Sequence, residues 1–335
     1  MSDSYTRYVR LNPIADRGRA DNGGTRCERT GELRAVLVSH RMLFNRHQRR
    51  LSQSVREYRR PGVAVFAIHR VEGMAGHLWL EASEALRAGV IGRHSCVDLF
   101  LEGDEGLSLR HLLVLVRQVA GSLWLRVVDL ATPAGFQAEE GGVLRAVEAN
   151  GVLVLAAASF SFFVVPTGGG AVWDRDAEDP WSTLPRRVCE ASPREVPPRA
   201  PRRKVHAGEG TSVSFLEGLE EPGPLPALLP GERVEGHLWL ADGHGEVLLP
   251  VGARPLERGL ILGRYSRCNG ATATMTNEVS RVHAVVMAID GQLHLMDAGS
   301  TNGIFLDDEQ VKCAPITPGA TYSLATLDVR WEPAR

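Results

Sequence analysis

Residues 260–306 read LILGRYSRCNGATATMTNEVSRVHAVVMAIDGQLHLMDAGSTNGIFL, and the fold prediction depends on this stretch. The run 282–289, VHAVVMAI, is apolar and rich in β-formers, which predicts a buried strand. Asp290-Gly291 predicts a tight turn, and the alternation in 293–296 predicts a strand that returns antiparallel. Polar motifs stand at the ends of such runs: Gly263-Arg264, Ser280-Arg281-Val282-His283 and Ser300-Thr301-Asn302-Gly303. The pattern therefore indicates strands joined by polar loops.

These loops carry residue types that suit a phosphate group. A phosphate monoester has nearly two negative charges and three strong acceptor oxygens. The guanidinium of Arg264 can donate a planar fork to two of those oxygens, and the Ser280 hydroxyl can donate to one. Arg281 adds a second cation, while the Thr301 hydroxyl and the Asn302 amide can hold a peptide backbone. Side chains presented by loops on a rigid sheet are typical of binding sites.

The three motifs, in this order, resemble those of the forkhead-associated (FHA) domain, a β-sandwich module that binds phosphothreonine peptides. The resemblance covers the last third of the chain. It implies that Arg264 and Ser280 contact phosphate, and that Thr301 and Asn302 flank the peptide. It implies backbone or bracing roles for three further residues: Gly263, His283 and Gly303.

A second copy of the pattern precedes this one. The matches join Gly76-His77-Leu78-Trp79-Leu80 to Gly236-His237-Leu238-Trp239-Leu240, Gly92-Arg93 to Gly263-Arg264, and Ser108-Leu109-Arg110-His111 to Ser280-Arg281-Val282-His283. An internal repeat of this kind is read before any other fold signal. We therefore predict an all-β chain with two FHA-type β-sandwich domains in tandem, preceded by a basic amphipathic helix.

The first copy departs from the FHA pattern where binding is expected. Leu109 stands in the place of Arg281, and Pro133-Ala134 replaces the Thr-Asn pair. Leucine cannot pair with phosphate, and a shift of one place along a strand turns a side chain to the other face. We expect a degenerate FHA-like domain with a structural or partner-binding role. The alternative is a weak second phosphate site at Arg93, Ser108 and Arg110.

Residues 31–60 place apolar residues at helical spacing, with eight arginines against two glutamates, and Pro61 stops the pattern. A basic amphipathic helix can serve as a partner helix, a membrane-surface helix or a nucleic-acid contact. We favour a helix that packs its apolar stripe and leaves its arginines in water. The segment lacks a helix-turn-helix, zinc or aromatic stacking pattern, which argues against nucleic acid as a partner.

The chain divides into predicted segments: a disordered tail at 1–30, the helix at 31–60, a degenerate FHA-like β-sandwich at 62–167, a Pro/Arg-rich linker at 168–211 and the FHA domain at 212–333. Thr183 lies in the predicted linker, within reach of the predicted pocket. Tethering of this kind raises the effective concentration, so self-recognition by a linker phosphothreonine is one interpretation. The other is an ordinary linker residue.

Composition excludes several classes of protein. The five cysteines are isolated and form no CxxC pair, which argues against a zinc site or a disulfide framework and suits a reducing cytosol. No apolar run is long enough for a membrane span, so we expect a cytoplasmic location. Walker, HExxH and GxSxG motifs are absent, and we expect neither an enzyme nor a cofactor.

The function predicted from the sequence is a phosphothreonine-peptide-binding adaptor in bacterial Ser/Thr-kinase signalling. Its partner would be a phosphothreonine-containing protein, either the kinase or a kinase substrate. The abundance of Arg, Ala and Gly, typical of GC-rich bacteria, is the basis for the bacterial setting. The alternative is a phospho-independent scaffold or self-assembling component with a vestigial pocket.

Overall fold

The computed structural model of the chain describes residues 39–139, 142–169, 173–193, 225–269 and 275–334. The chain is mostly β, with one N-terminal helix and several sheets, as the sequence predicts. The predicted disordered tail at 1–30 lies outside the described residues. None of the helices in the described ranges is long and apolar enough to cross a membrane. We call residues 39–193 the first unit and residues 225–334 the second unit.

One sheet of 11 strands forms the first unit. Its strands are β1 (Gly62–His69), β2 (Gly73–Glu81), β3 (Arg87–Gly92), β4 (Leu99–Phe100), β5 (Leu112–Val119), β6 (Ser122–Asp129), β7 (Phe136–Ala138), β8 (Val143–Ala149), β9 (Leu153–Ala157), β10 (Phe160–Thr167) and β11 (Val188–Pro193). They pair in the order β2-β1-β10-β9-β7-β8-β6-β5-β3-β4, and β11 pairs with β8. The pairing is antiparallel except between β3 and β4.

This sheet curls until it is nearly a barrel, which differs from the two separate sheets of the predicted β-sandwich. Its two ends meet through side chains. A Cβ built on Gly89 of β3 would lie 2.8 Å from a methyl group of Leu78 on β2. One built on Gly76 of β2 would lie 3.1 Å from a methyl group of Leu99 on β4. Curling buries the inner face of the sheet and covers its end strands, which would otherwise offer unpaired backbone to other chains.

Helix α1 (His40–Glu57) precedes the sheet. The Ser39 hydroxyl caps it by accepting a hydrogen bond of 3.3 Å from the Met42 amide. Its apolar stripe, which includes Leu43, Phe44 and Leu51, is buried against β1 and β10. The helical arginines are exposed: Arg41, Arg46, Arg49, Arg50 and Arg56. This arrangement matches the favoured interpretation, in which the apolar face packs and the charged face is solvated.

The first part of the predicted linker at 168–211 is not a linker. Residues 173–193 pack on the first unit through a short 3-10 helix (Pro180–Thr183) and strand β11. Trp173 and Leu184 are buried in the cluster that includes helix α1, so these apolar side chains have a surface to cover. The rest of that predicted segment, 194–211, lies outside the described residues.

Thr183 is therefore not an accessible linker threonine. Its hydroxyl accepts a hydrogen bond of 3.0 Å from the Asp174 amide and donates one of 2.9 Å to the Pro180 carbonyl. The side chain is half-buried. Phosphorylation replaces the hydroxyl hydrogen and so removes the bond to the Pro180 carbonyl, which counts against self-recognition through Thr183.

The second unit is a two-sheet sandwich. Its elements are β12 (Val234–Asp242), β13 (Gly245–Gly252), α2 (Ala253–Arg258), β14 (Leu260–Leu262), β15 (Ala284–Ile289), β16 (Gln292–Asp297), β17 (Ile304–Leu306), β18 (Glu309–Val311), β19 (Cys313–Pro315), β20 (Thr321–Leu324) and β21 (Leu327–Pro333). One sheet has 6 strands in the order β13-β12-β21-β20-β17-β18, and the other has 4 in the order β14-β15-β16-β19. The predicted turn at Asp290-Gly291 joins β15 to β16 with positive φ at both residues.

The two units share an apolar cluster, which we call the shared cluster. Its central members are Val90, Leu113, Leu115 and Val128 from the first unit, and Ile261, Val285, Met287 and Met296 from the second. In each unit these residues come from three neighbouring strands paired in the same register. Equivalent faces of the two repeats therefore meet, as in the isologous interface of a two-fold dimer.

Polar contacts border the shared cluster. Ion pairs join Arg117 to Asp290 and Lys312 to Asp98. Arg126 and Arg145 donate hydrogen bonds of 2.6 Å and 3.4 Å to the carbonyls of Glu257 and Gly259, at the C-terminal end of α2. Carbonyls at a helix C-terminus lack intrahelical partners and carry partial negative charge, so arginines are favourable there.

Truncation of a residue in the shared cluster tests its contribution. Met287 is fully buried there, so Met287→Ala leaves a cavity that the sheets cannot close. We expect the free energy of unfolding of the full chain to fall by about 2–5 kcal/mol, measured by urea denaturation. Leu248→Ala is the control, because Leu248 is 51% exposed on β13 and should change stability by about 0.5 kcal/mol or less. Equal effects of the two substitutions would show that the cluster does not stabilise the protein.

Candidate functional site

Three loops meet at one end of the second unit, and together they contain every residue of the predicted phosphopeptide site in this unit. We call them the 263 loop (263–268), the 280 loop (275–283) and the 300 loop (297–303). The Arg264 amide donates to the Ser280 carbonyl at 3.2 Å, and the next amide along, that of Tyr265, donates to the Arg281 carbonyl at 3.0 Å. The Thr301 amide donates to the Ser280 hydroxyl oxygen at 3.0 Å. Ser280 thus links the other two loops.

A buried histidine fixes the 280 loop relative to the 300 loop. The Ser280 amide donates to Nδ1 of His283 at 3.1 Å, and Nε2 lies 2.9 Å from the Gly303 carbonyl. Nδ1 accepts a hydrogen bond, so it carries no hydrogen, and Nε2 faces a carbonyl oxygen that can only accept. The imidazole is therefore neutral, with its hydrogen on Nε2. Burial lowers the pKa of His283, although the bond to Gly303 and the charge of Asp297 act in the opposite direction. These contacts give His283 the bracing position that the FHA resemblance implies.

Gly263 allows the first two loops to approach closely. A Cβ at this position would lie 2.4 Å from the Arg281 carbonyl oxygen, closer than real Cβ contacts come. Gly303 has φ +77, and a Cβ there would lie 2.4 Å from the side-chain nitrogen of Gln310. Both glycines are backbone requirements of the loops rather than contacts for a ligand.

Hydrogen bonds within the second unit hold the 300 loop. The Asp297 carboxylate accepts from the Ser300 amide at 2.9 Å, and the Ser300 hydroxyl accepts from the Gly303 amide at 2.9 Å. The Asn302 side chain donates to the Glu278 carbonyl at 2.9 Å and so ties this loop to the 280 loop. Turns of this kind, closed by short polar side chains, hold a loop in one conformation.

The cations of the site face solvent. Arg264 and Arg281 are exposed, and within the described ranges no hydrogen bond or ion pair engages either guanidinium. Thr301 and Asn302 are exposed beside them, whereas Ser280 is mostly buried. Two guanidinium groups without acceptors, next to a serine hydroxyl, provide donors for an anion that arrives from solution.

The same hydrogen bonds recur in the first unit. The Arg93 amide donates to the Ser108 carbonyl at 3.2 Å, as in the 263 loop. The Ser108 amide donates to Nδ1 of His111 at 3.0 Å, and Nε2 of this imidazole lies 2.9 Å from the Gly135 carbonyl. The Gly135 amide donates to the Thr132 hydroxyl at 2.9 Å. These four bonds around His111 therefore repeat those around His283.

The side chains around this framework differ in the first unit. Pro133 stands in the place of Thr301 and has no amide hydrogen, so it cannot donate to Ser108 as Thr301 donates to Ser280. Nε of Arg93 donates at 2.7 Å to the Leu107 carbonyl of its own unit. Arg110 is only 6% exposed, and its Nε donates at 2.8 Å to the Gly299 carbonyl of the second unit.

The structure places Arg93 beside Ser108 and turns Arg110 toward the second unit, and the weak second site stays a prediction. Arg110 lies in the loop that precedes β5, and its side chain is directed toward the second unit. Sequence reasoning missed both this contact and the role of Asp297 in closing the 300 loop. A signal for Asp297 was present, since an aspartate precedes the turn in both repeats, as Asp129 and Asp297.

Part of the second unit matches a known protein family. Residues 260–325 match the family model described as FHA domain. No curated protein is similar enough to the chain to count as a relative.

Several solved structures resemble part of the chain. They include Mycobacterium tuberculosis EmbR in complex with a low-affinity phosphopeptide (18% identity over 29% of this chain and 24% of that chain, TM-score 0.25). Another is Mycobacterium tuberculosis Rv1747 FHA-1 (20% identity, 30% of this chain and 99% of that chain, TM-score 0.24). A third is the yeast Dun1 FHA domain in complex with a doubly phosphorylated peptide (15% identity, 39% and 84%, TM-score 0.25). The chain thus spans about a quarter of the EmbR chain.

The protonation state of His283 can be measured directly. At pH 6.5, its ordinary pKa, a solvated histidine is half protonated, but the lowered pKa keeps His283 mostly neutral. We expect long-range ¹H–¹⁵N NMR spectra at this pH to show a protonated Nε2 and a bare Nδ1. The same histidine in urea should titrate normally. Because the unfolded state then binds a proton that the folded state does not, this group lowers stability as pH falls below 6.5. A doubly protonated ring at pH 6.5 in the folded protein would contradict the assignment.

Proposed function

We propose that the FHA domain at residues 260–325 binds phosphothreonine peptides, and that the protein is a non-enzymatic adaptor in bacterial Ser/Thr-kinase signalling. The observation that carries the proposal is the junction of three loops at Ser280, with Arg264 and Arg281 exposed beside it. The partner we propose is a phosphothreonine-containing segment of a kinase or a kinase substrate.

The chemistry of the loops favours phosphate over a carboxylate. A phosphate group carries three acceptor oxygens and nearly twice the charge of a carboxylate, and the site offers two guanidinium groups and a hydroxyl. Arg264 would take two oxygens with its planar fork, and Arg281 would add charge. The Ser280 hydroxyl already accepts from the Thr301 amide, so its own hydrogen is free to donate to a phosphate oxygen.

Thr301 and Asn302 would contact the peptide rather than the phosphate. Both are exposed, and the Asn302 amide nitrogen is bonded to the Glu278 carbonyl. That bond leaves the amide oxygen of Asn302 to accept from a peptide N–H. The resemblance to FHA domains supports the preference for phosphothreonine, since the family recognises the threonine methyl group. Recognition of this kind acts as a switch that the kinase sets.

We further propose that the first unit is a degenerate FHA-like domain. The support is the framework around His111, which repeats the bonds around His283 at nearly equal distances. The first unit forms one curled sheet of 11 strands and not two separate sheets. The similarity to an FHA domain that we propose is therefore limited to the loop framework and the strands that carry it. Its role in this proposal is structural.

A phospho-independent scaffold is the second candidate. The exposed arginines of α1 form a basic face, and the proposed binding of a phosphopeptide does not involve this face. Such a face can attract an acidic partner without any phosphate. Retained partner binding after Arg264→Ala would favour this candidate.

The first test of the adaptor function is binding of an oriented phosphothreonine peptide library to the full chain. We expect selective capture, and Arg264→Ala should weaken affinity for a selected peptide at least about 10-fold, because a hydrogen bond to a charged group contributes about 1.5–3 kcal/mol. Arg254→Ala removes the same charge from exposed α2 and should leave affinity within about twofold. Isothermal titration calorimetry measures both. Equal affinity for phosphorylated and unphosphorylated peptides would refute the proposed function.

The proposal also predicts that the first unit does not hold a second phosphate. Arg93 is bonded to its own loop, so Arg93→Ala should leave the affinity for the selected peptide and a stoichiometry of one peptide per chain unchanged. The same titration gives both values. A second binding event that Arg93→Ala removes would revive the weak second site.

A further inference from the structure

The first unit reaches into the candidate site at one point. Arg110 extends from the loop that ends at His111, is 6% exposed, and donates from Nε to the Gly299 carbonyl at 2.8 Å. In the second repeat the equivalent residue is Val282, so this contact has no counterpart in the other direction. The two repeats therefore differ at this position, where the two units are in contact.

The contact falls on the one segment that carries Thr301 and Asn302. Bonds from inside the second unit hold the amides of Ser300, Thr301 and Gly303. The Gly299 carbonyl precedes these amides directly, and its donor comes from the first unit. Bonds from the Asp297 and Ala298 amides to the Lys312 and His283 carbonyls also hold the start of this loop, but the Gly299 carbonyl is bonded by a side chain that the FHA domain does not contain.

Packing supports the same conclusion. Gly299 has φ +73, and a Cβ there would lie 3.1 Å from a methyl group of Val97 in the first unit. The back of the 300 loop thus rests on Val97 while Arg110 binds its carbonyl. Burial lowers the pKa of Arg110, and the charge of Asp297, which also closes the loop, raises it. The Arg110 guanidinium is thus held away from water at the interface, where it faces the 300 loop.

One polar contact between the units lies away from the candidate site. Arg117 pairs with Asp290 at the turn between β15 and β16, at the far end of those strands from the 300 loop. This pair is a matched control, because it joins the same two units through an arginine without touching the recognition loops.

We propose that Arg110 is a positioning residue, through which the first unit holds the 300 loop in the conformation that receives a phosphothreonine peptide. The proposal rests on the proposed function of the second unit. It adds that the phosphopeptide site requires a residue of the first unit. A loop that is ordered before binding loses less conformational freedom when the ligand arrives, so it binds more tightly. The degenerate repeat would then serve as an internal support for the intact one.

Hydrogen–deuterium exchange tests the positioning without any ligand. In the full chain, Arg110→Ala should raise the exchange rate of the 300-loop amides, at Ser300, Thr301 and Gly303, several-fold. Arg117→Ala should leave those amides unchanged. Arg110→Gln provides a milder variant that removes the charge but keeps part of the side chain, and a thermal melt shows that each variant is folded. Unchanged exchange in both Arg110 variants would overturn the proposal.

Measuring peptide affinity tests whether the ordered 300 loop strengthens binding. With a phosphothreonine peptide selected on the wild-type chain, Arg110→Ala should weaken binding on the order of 10-fold, and Arg117→Ala by less than about twofold. Arg110→Ala at wild-type affinity, with Arg264→Ala weakened, would overturn this proposal and leave the proposed function intact. A wild-type chain that binds no phosphothreonine peptide would instead refute the proposed function, and the exchange rates alone would then decide whether Arg110 orders the loop.

Discussion

The second unit depends on a neutral imidazole that is closed off from water. His283 accepts from the start of its own loop and donates to the end of another, so two loops distant in sequence share one buried side chain. A protonated ring could not accept from the Ser280 amide, and an apolar residue would leave that amide and the Gly303 carbonyl unpaired. The exposed residues of the site can be selected for binding because the buried histidine already fixes the backbone that carries them.

The first unit carries the same histidine-centred bonds with different side chains around them. Around His111 the backbone bonds persist, yet Pro133 removes the amide that would engage Ser108. The framework is present while Leu109, Pro133 and Ala134 replace three residues of the 280 and 300 loops, and Nε of Arg93 is bonded within its own unit. Such a difference is expected where the loops hold a fold together, since an unpaired buried amide destabilises any copy, whereas an exposed arginine matters only to a copy that binds.

The two units contact each other through corresponding strands. Equivalent faces of the sheets meet in the shared cluster, and the arrangement resembles a two-fold dimer built within one chain. Because the sequences have diverged, the interface can be unequal: Arg110 crosses it toward the 300 loop, and Val282 cannot do the same in return. An identical pair of chains would not allow that asymmetry.

The sequence alone determined the strands of 260–306, the three loops and the residues that they carry, because turn chemistry and alternation are local. Residue matches also revealed the repeat. The sequence could not determine that the first unit curls into a single sheet, that 173–193 packs rather than links, or where Arg110 points. Each of these depends on which apolar surfaces meet after folding. Residues far apart in the chain make those contacts, and only the tertiary structure decides between a side chain in solvent and one buried against another unit.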